Sequence, residues 1–255
     1  MNSRLAASIL SHKDATPEMA ERLFLHGASN ESKHHLAKVA ASSRAFTKQL
    51  FDKYKDNPDM LGHMVHSKHF NRWVDSVGID KALEHPNQHV QSAVTEHPEF
   101  NNWVSRVGID KALEHPNQHV QSAVTEHPEF NNWVSRVGID KALEHPNSSV
   151  QYAATQHPEF NNWVSRVGID KALEHPNSSV QYAAAWHPEF NNWLKQPGNM
   201  DKALEHPSWR VRHAATEHPE FNNWLKQPGN MDKALNHSDW YVRDAARLAL
   251  NEDQR

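Results

Sequence analysis

Histidine is the residue type in this chain best equipped for chemistry, and it recurs at fixed intervals. His85 and His89 return as His115 and His119, a spacing that on a helix places two imidazoles on one face, as in zinc-binding helices. Pro86 and Pro116 fall inside those intervals, and a proline starts a helix rather than continuing one. The first His of each pair is therefore expected outside the helix that carries the second. Later copies lose the pair, because Ser149 and Ser179 take the second position. His63, His66 and His69 form a tighter group, but no cysteine or carboxylate accompanies them at matching spacing. The expected role of the His before each Pro is a helix cap that also bonds the backbone of the next repeat. Histidine-mediated metal binding is kept as an alternative, and no metal site or cofactor is assigned. The chain has no Gly-rich phosphate loop, no serine elbow and no His-Glu-x-x-His, and its Glu-His-Pro triplets are too regular to form one differentiated site. An enzyme is not expected.

The element that positions these residues is a repeat. Residues 87–116 and 117–146 are identical, and edited copies start at Asn147, Asn177 and Ser208, with a truncated one at Asp239. Self-similarity at a period near thirty residues signals units that bury their apolar faces against one another, an α-solenoid in which an extended surface replaces a pocket. Proline and glycine punctuation predicts three short helices per unit: Pro98 to Arg106, Asp110 to Glu114 with Asp110 as N-cap, and Pro116 to Glu126, with Gly108 closing the first. In the third helix Val120, Ala123 and Val124 share one stripe, opposite Gln118, Ser122 and Thr125. From Trp193 onward the loop containing the glycine is one residue longer, reading Leu194-Lys-Gln-Pro-Gly-Asn-Met-Asp201, and the edit recurs after Trp224.

Residues 1–66 carry a decayed form of the pattern and are expected to be a helical N-terminal cap, with helix starts at Thr16-Pro17-Glu18 and Ser43-Arg-Ala-Phe46. Residues 67–238 form the tandem repeats, and 239–255 a final helix, Trp240 to Leu250, with a polar tail. Of 255 residues, 27 are Lys or Arg and 31 are Asp or Glu, a net charge of -4, and none is cysteine. That balance argues against a surface built mainly to neutralise phosphates, and the missing thiols exclude disulfides and thiolate chemistry. The start of the chain lacks the apolar run of a secretory signal and no later stretch is long enough to span a bilayer, so a cytoplasmic protein without membrane contact is expected.

Three sets of repeated side chains carry the functional reading. The ladder Trp73, Trp103, Trp133, Trp163, Trp193 and Trp224 lies three residues after a Phe each time, the spacing of a buried stripe. The pairs Asn101-Asn102 through Asn222-Asn223 are expected to form a hydrogen-bonded spine between repeats. Variation concentrates on the third helix. There the exposed positions change from Gln88, His89 and Ser92 to Tyr152 and Tyr182, then to Trp209, Arg210, Arg212 and His213, and finally to Trp240, Tyr241 and Arg243, with Trp186 at a helix end between them. Trp, Tyr and Arg are enriched at binding hot spots, so these ten residues are the expected partner-binding ridge.

Val211-Arg-His-Ala-Ala-Thr-Glu-His-Pro219 and Val242-Arg-Asp-Ala-Ala246 resemble the core helix of HEAT-like repeats and of the leucine-rich-repeat variant, both of which use Val-Arg-x-Ala-Ala; the His-Pro that follows is also similar to the latter. The resemblance covers roughly residues 57 to 250, with Gln91, Gln121, Gln151 and Gln181 in place of the Arg. It implies a right-handed α-solenoid that binds protein, with some relatives gripping DNA. The expected function is a non-enzymatic protein-binding scaffold. The alternative is nucleic-acid binding through Arg106, Arg136, Arg166, Lys111, Lys141, Arg210, Arg212 and Arg243, in an architecture like that of HEAT-like DNA glycosylases.

Overall fold

The computed structural model describes residues 3–29 and 33–252. Parts of the expected N-terminal cap (1, 2 and 30–32) and of the polar tail (253–255) lie outside them. Among the described residues the chain folds into twenty-three helices and no strand. Contacts divide it into two compact units, Met1–His127 and Pro128–Arg255. The division falls between His127 and Pro128, inside the repeats, whereas the sequence pattern changes near residues 66 and 239. Among the described residues no helix is long and apolar enough to cross a membrane.

Each copy supplies a Trp helix, a short helix and a ridge helix, in that order. In the first unit these are Phe100–Val107, Ile109–Leu113 and Gln118–Val124. In the second they include Glu159–Val167, Ile169–Leu173 and Ser178–Ala185. The helices are short because the sequence stops them. Gly108 takes φ 86 and ψ 142, a conformation closed to side-chain-bearing residues, and so ends one helix and begins the next in a single step. Three expected boundaries are corrected. Pro98 does not open the Trp helix, which starts at Phe100 after Glu99. Asp110 is not the N-cap of the short helix, since Gly108 holds that place. Pro116 does not open the ridge helix either. Asn117 caps it, accepting from the amide of His119 at 2.9 Å, and the helix ends at Val124.

The apolar stripes explain what each helix buries. Phe100, Trp103 and Val104 are buried on the Trp helix, and so are Phe160, Trp163 and Val164. Burying a side chain of this size contributes about 1.5 to 3 kcal/mol. On the ridge helix Val120 and Val124, four apart, are buried; Ala123 lies on the flank and is only half-buried, as are Ser122 and Thr125. The longer loop of the last copies turns on Gly198, at φ 82 and ψ -10, and Asn199 donates from its amide to the Trp193 carbonyl at 3.0 Å.

In the N-terminal region Thr16 and Pro17 open the helix Pro17–Ala28 as expected. Ser43 does not start one: its hydroxyl donates to the Ala40 carbonyl at 2.7 Å, closing His34–Ser42, and Thr47 caps Lys48–Tyr54. Gly27 lets its helix close on the next, where an added Cβ would sit 2.3 Å from the Ala37 nitrogen.

Candidate functional site

Histidine joins one repeat to another, but it reaches back to the preceding copy rather than on to the next, and Asn117, not His115, caps the helix that follows. The Nδ1 of His115 accepts from the Asn117 amide at 3.1 Å, which leaves the proton on Nε2, and Nε2 meets the Leu83 carbonyl of the preceding copy at 3.2 Å. His206 repeats both contacts, with Ser208 and Leu173. Burial pushes the imidazoles of His85, His115, His175 and His206 below their ordinary value, although the backbone partners pull the other way. The histidine before the other proline turns the chain into the Trp helix: Nδ1 of His97 and of His187 accepts from the amide two residues on, at 3.2 Å in both, and His187 and His218 are the N-caps of their helices, whereas Glu99 holds that place after His97. Nothing gathers His63, His66 and His69. His63 lines a cleft of about 430 Å³ with His34, Lys38, Asp59 and His89; His66 is exposed; His69 is buried against Phe51. Among the described residues no group of three His, Asp or Glu side chains is arranged to hold a metal ion.

The amide spine exists, but not at the expected asparagines. Asn101 and Asn102 are exposed, and Asn102 bonds only within its own helix, to Glu99 at 3.2 Å. Adjacent residues project roughly 100° apart around a helix, so the pair cannot present both amides to one neighbouring copy. The spine is formed by the Asn that caps the earlier ridge helices, with Ser208 and Asp239 standing at that position in the last two. Asn117 donates to the Gln88 carbonyl and to Gln91 Oε1, both at 3.0 Å, and Asn177 donates to Ser148 and Gln151. Gln151 Nε2 in turn donates to the His145 carbonyl at 2.6 Å. Arg212 and Arg243 take the place of that Gln and make the same bond, to the His206 and His237 carbonyls at 2.6 Å. Arg212 also reaches Asp239, which stands where the next Asn would be. Burial raises the Asp239 carboxyl, but the guanidinium and the Tyr241 amide outweigh it and hold the group below the usual carboxylate range.

With the ladder tryptophans the chain uses indoles in two ways. Trp193 is 6% exposed, whereas Trp186, Trp209 and Trp240 are 57%, 48% and 55% exposed. The ladder rings are tied from copy to copy: Trp103 Nε1 donates to Asp80 at 3.2 Å, Trp163 to Asp140 at 3.1 Å and Trp193 to Asp170 at 3.0 Å. Arg106 and Arg166 pair with Asp80 and Asp140, at 2.8 and 2.6 Å. Lys233 pairs with Asp201 at 2.6 Å. The Asp of the short helix is thus a shared acceptor that spacing alone did not reveal, because its partners lie more than twenty residues away.

The exposed rings gather on the ridge helices of the second unit. Tyr152, Ser179, Tyr182, Trp209, Arg210, His213 and Tyr241 line one groove of about 590 Å³. Trp209 and Tyr241 stack with centroids 5.5 Å apart and planes at 14°. His213 lies edge-on to Tyr241 at 4.9 Å, and Trp240 edge-on to it at 5.0 Å. Tyr241 therefore separates the two tryptophans, because it holds the position of Arg210 in the preceding copy. The Arg210 guanidinium lies over Tyr182 and Trp209, 5.6 and 5.7 Å from their centroids, and donates to Ser179 Oγ at 3.1 Å. Trp186 packs edge-on to Tyr182 at 6.0 Å. Of the ten ridge residues, six line the groove and two, Trp186 and Trp240, border it. Arg212 and Arg243 are held by backbone carbonyls, with Asp239 as a further partner of Arg212. Ser179 joins the groove as the acceptor of Arg210, a role that no feature of the sequence signals.

No protein-family model matches the chain. Comparison with curated proteins gives no significant match, and comparison with solved structures gives none either.

Proposed function

We propose that the helix triplets stack as a right-handed α-solenoid of thirty-residue repeats, related to the HEAT-like and leucine-rich-repeat variant architectures, and that the protein is a non-enzymatic, cytoplasmic scaffold that binds a protein partner through its ridge helices. The stacking reading is supported by the bonds that recur from one copy to the next, Trp to Asp and Asn to Gln. The binding reading is carried by one observation, the stacked and exposed Trp209–Tyr241 pair beside Arg210. Aromatic rings and an arginine gathered on a surface are the composition of a hot spot. Nucleic-acid binding is the weaker reading, since Arg106, Arg166 and Arg212 are engaged by carboxylates and Arg243 by carbonyls.

The test is the double variant Trp209→Ser, Tyr241→Ser, compared with the unaltered chain by affinity capture from the native cell and by thermal melting. Capture of a defined protein set by the unaltered chain and its loss in the variant, with the melting temperature nearly unchanged, is the expected result. Equal capture by both would remove the groove from the function. A melting temperature lowered by many degrees would make the rings structural.

A further inference from the structure

The chemistry of the groove narrows the kind of protein segment it accepts. Four rings and a guanidinium form a continuous strip, Tyr182, Arg210, Trp209, Tyr241 and Trp240, with successive steps of 5.6, 5.7, 5.5 and 5.0 Å. Tyr152 extends the same groove on the ridge helix before Tyr182. Helices in contact lie about 8 to 10 Å apart, so the ridge helices offer aromatic surface at roughly that period. A polyproline II strand rises ~3.1 Å per residue with three residues per turn, close to one turn per helix. Such a strand has no internal hydrogen bonds and needs donors for its carbonyls. The groove supplies them: among the described residues no hydrogen bond engages the indole N–H of Trp209 or Trp240, or the hydroxyls of Tyr152, Tyr182 and Tyr241. Aromatic-lined surfaces with free donors suit proline rings and preformed extended backbone, which loses little entropy on docking.

Charge adds a second constraint. Among the described residues Arg210 is the one guanidinium lining the groove, no carboxylate lines it, and none lies within ion-pair distance of Arg210. A partner carboxylate would therefore meet an unpaired cation. A single-stranded nucleic acid would find rings to stack on, but one cation against a phosphate at every nucleotide.

Resting on the protein-binding reading above, we propose that the groove along the ridge helices Ser148–Ala154, Ser178–Ala185, Trp209–Thr216 and Trp240–Glu252 binds an extended, proline-rich segment that places an acidic side chain on Arg210.

The proposal is tested on the whole chain by fluorescence anisotropy with labelled peptides of about twelve residues: repeated Pro-Pro-Glu, Pro-Pro-Lys and Gly-Ser-Glu, and an oligo-dT of matching length. Saturable binding of the Pro-Pro-Glu peptide, with both other peptides at least roughly tenfold weaker, is expected. Arg210→Glu should reverse the order, favouring Pro-Pro-Lys, and this gain guards against a variant that merely misfolds. Trp209→Ser should weaken both proline peptides by roughly tenfold or more. Equal affinity for Gly-Ser-Glu would overturn the proline requirement, and unchanged preference in Arg210→Glu would overturn the acidic contact. Tightest binding by oligo-dT, or no binding by any probe, would overturn the proposal as a whole. The capture experiment then decides separately whether the groove still serves a protein of another kind.

Discussion

Arg212 and Asp239 occupy the positions that Gln151 and Asn177 fill two junctions earlier, so one structural joint is built from a neutral pair in one place and a charged pair in another. The exchange predicts strong coupling. Arg212→Gln alone keeps a donor for the His206 carbonyl but leaves the carboxylate of Asp239, 7% exposed, without its guanidinium. A loss of ~1.5 to 3 kcal/mol is expected, the usual worth of a hydrogen bond to a charged group. Adding Asp239→Asn should restore part of that loss, because the double variant reproduces the Gln–Asn joint. A double-mutant cycle by urea denaturation measures this, and additive losses would mean the two side chains act independently. The histidines make the second residue-scale prediction. Burial lowers the values of His85, His115, His175 and His206 in the folded chain, while an unfolded imidazole titrates near ~6.5. In acid the unfolded chain therefore binds protons that the folded chain resists, so stability is complete above about pH 6.5 and falls as the pH drops below it. Calorimetry between about pH 7.5 and 5 should show a falling Tm and net proton uptake on unfolding. A flat profile over that window would mean that these rings do not hold the repeats together.

Between elements, the glycine hinges decide where one helix stops. Gly168, at φ 85 and ψ 152, joins Glu159–Val167 to Ile169–Leu173, and an added Cβ would meet nothing within 4 Å. Only conformation opposes a side chain there, so Gly168→Ala should cost about 1 to 3 kcal/mol. Gly198, at φ 82 and ψ -10, is left-handed helical, a region asparagine tolerates. Gly198→Asn should therefore cost clearly less, and denaturation of the two variants side by side checks the ranking. The sequence made these hinges and the Phe–Trp stripes legible because both are local, a glycine after an apolar run and two rings three residues apart. The joints were not legible in the same way. Asp110 looked like a cap because caps are judged by neighbours in the chain, whereas the equivalent Asp80 and Asp140 serve an indole and a guanidinium of the following copy. The loss of Arg at Gln91 and Gln151 looked like a departure from a motif, yet both side chains present the same N–H to the same carbonyl. The groove was legible as a set of residue types, but its order, with Tyr241 between the tryptophans, depends on a one-residue offset between neighbouring helices.

For the molecule as a whole, each joint is made of side chains from two successive copies, which predicts what happens when a copy is removed. Deleting residues 147–176 brings Pro146 to Asn177, whose following Ser-Ser-Val-Gln-Tyr-Ala-Ala matches the segment lost after Asn147. The shortened chain should fold, with helix content per residue by circular dichroism unchanged, because neighbour contacts are regenerated. Aggregation of this variant would contradict a stack held only by adjacent copies. The charged joint has a further consequence, one of heredity. Unequal crossing-over within residues 87–146 inserts or removes a unit whose joints are all alike, so every product is as well matched as its parent. A crossover that copied the segment carrying Arg212 would instead place a second Ser208, not Asp239, opposite the guanidinium. Lengthening of the gene is thus tolerated among the uniform copies and penalised at the end bearing the aromatic groove, which keeps its ring order while the rest of the array is free to change its number.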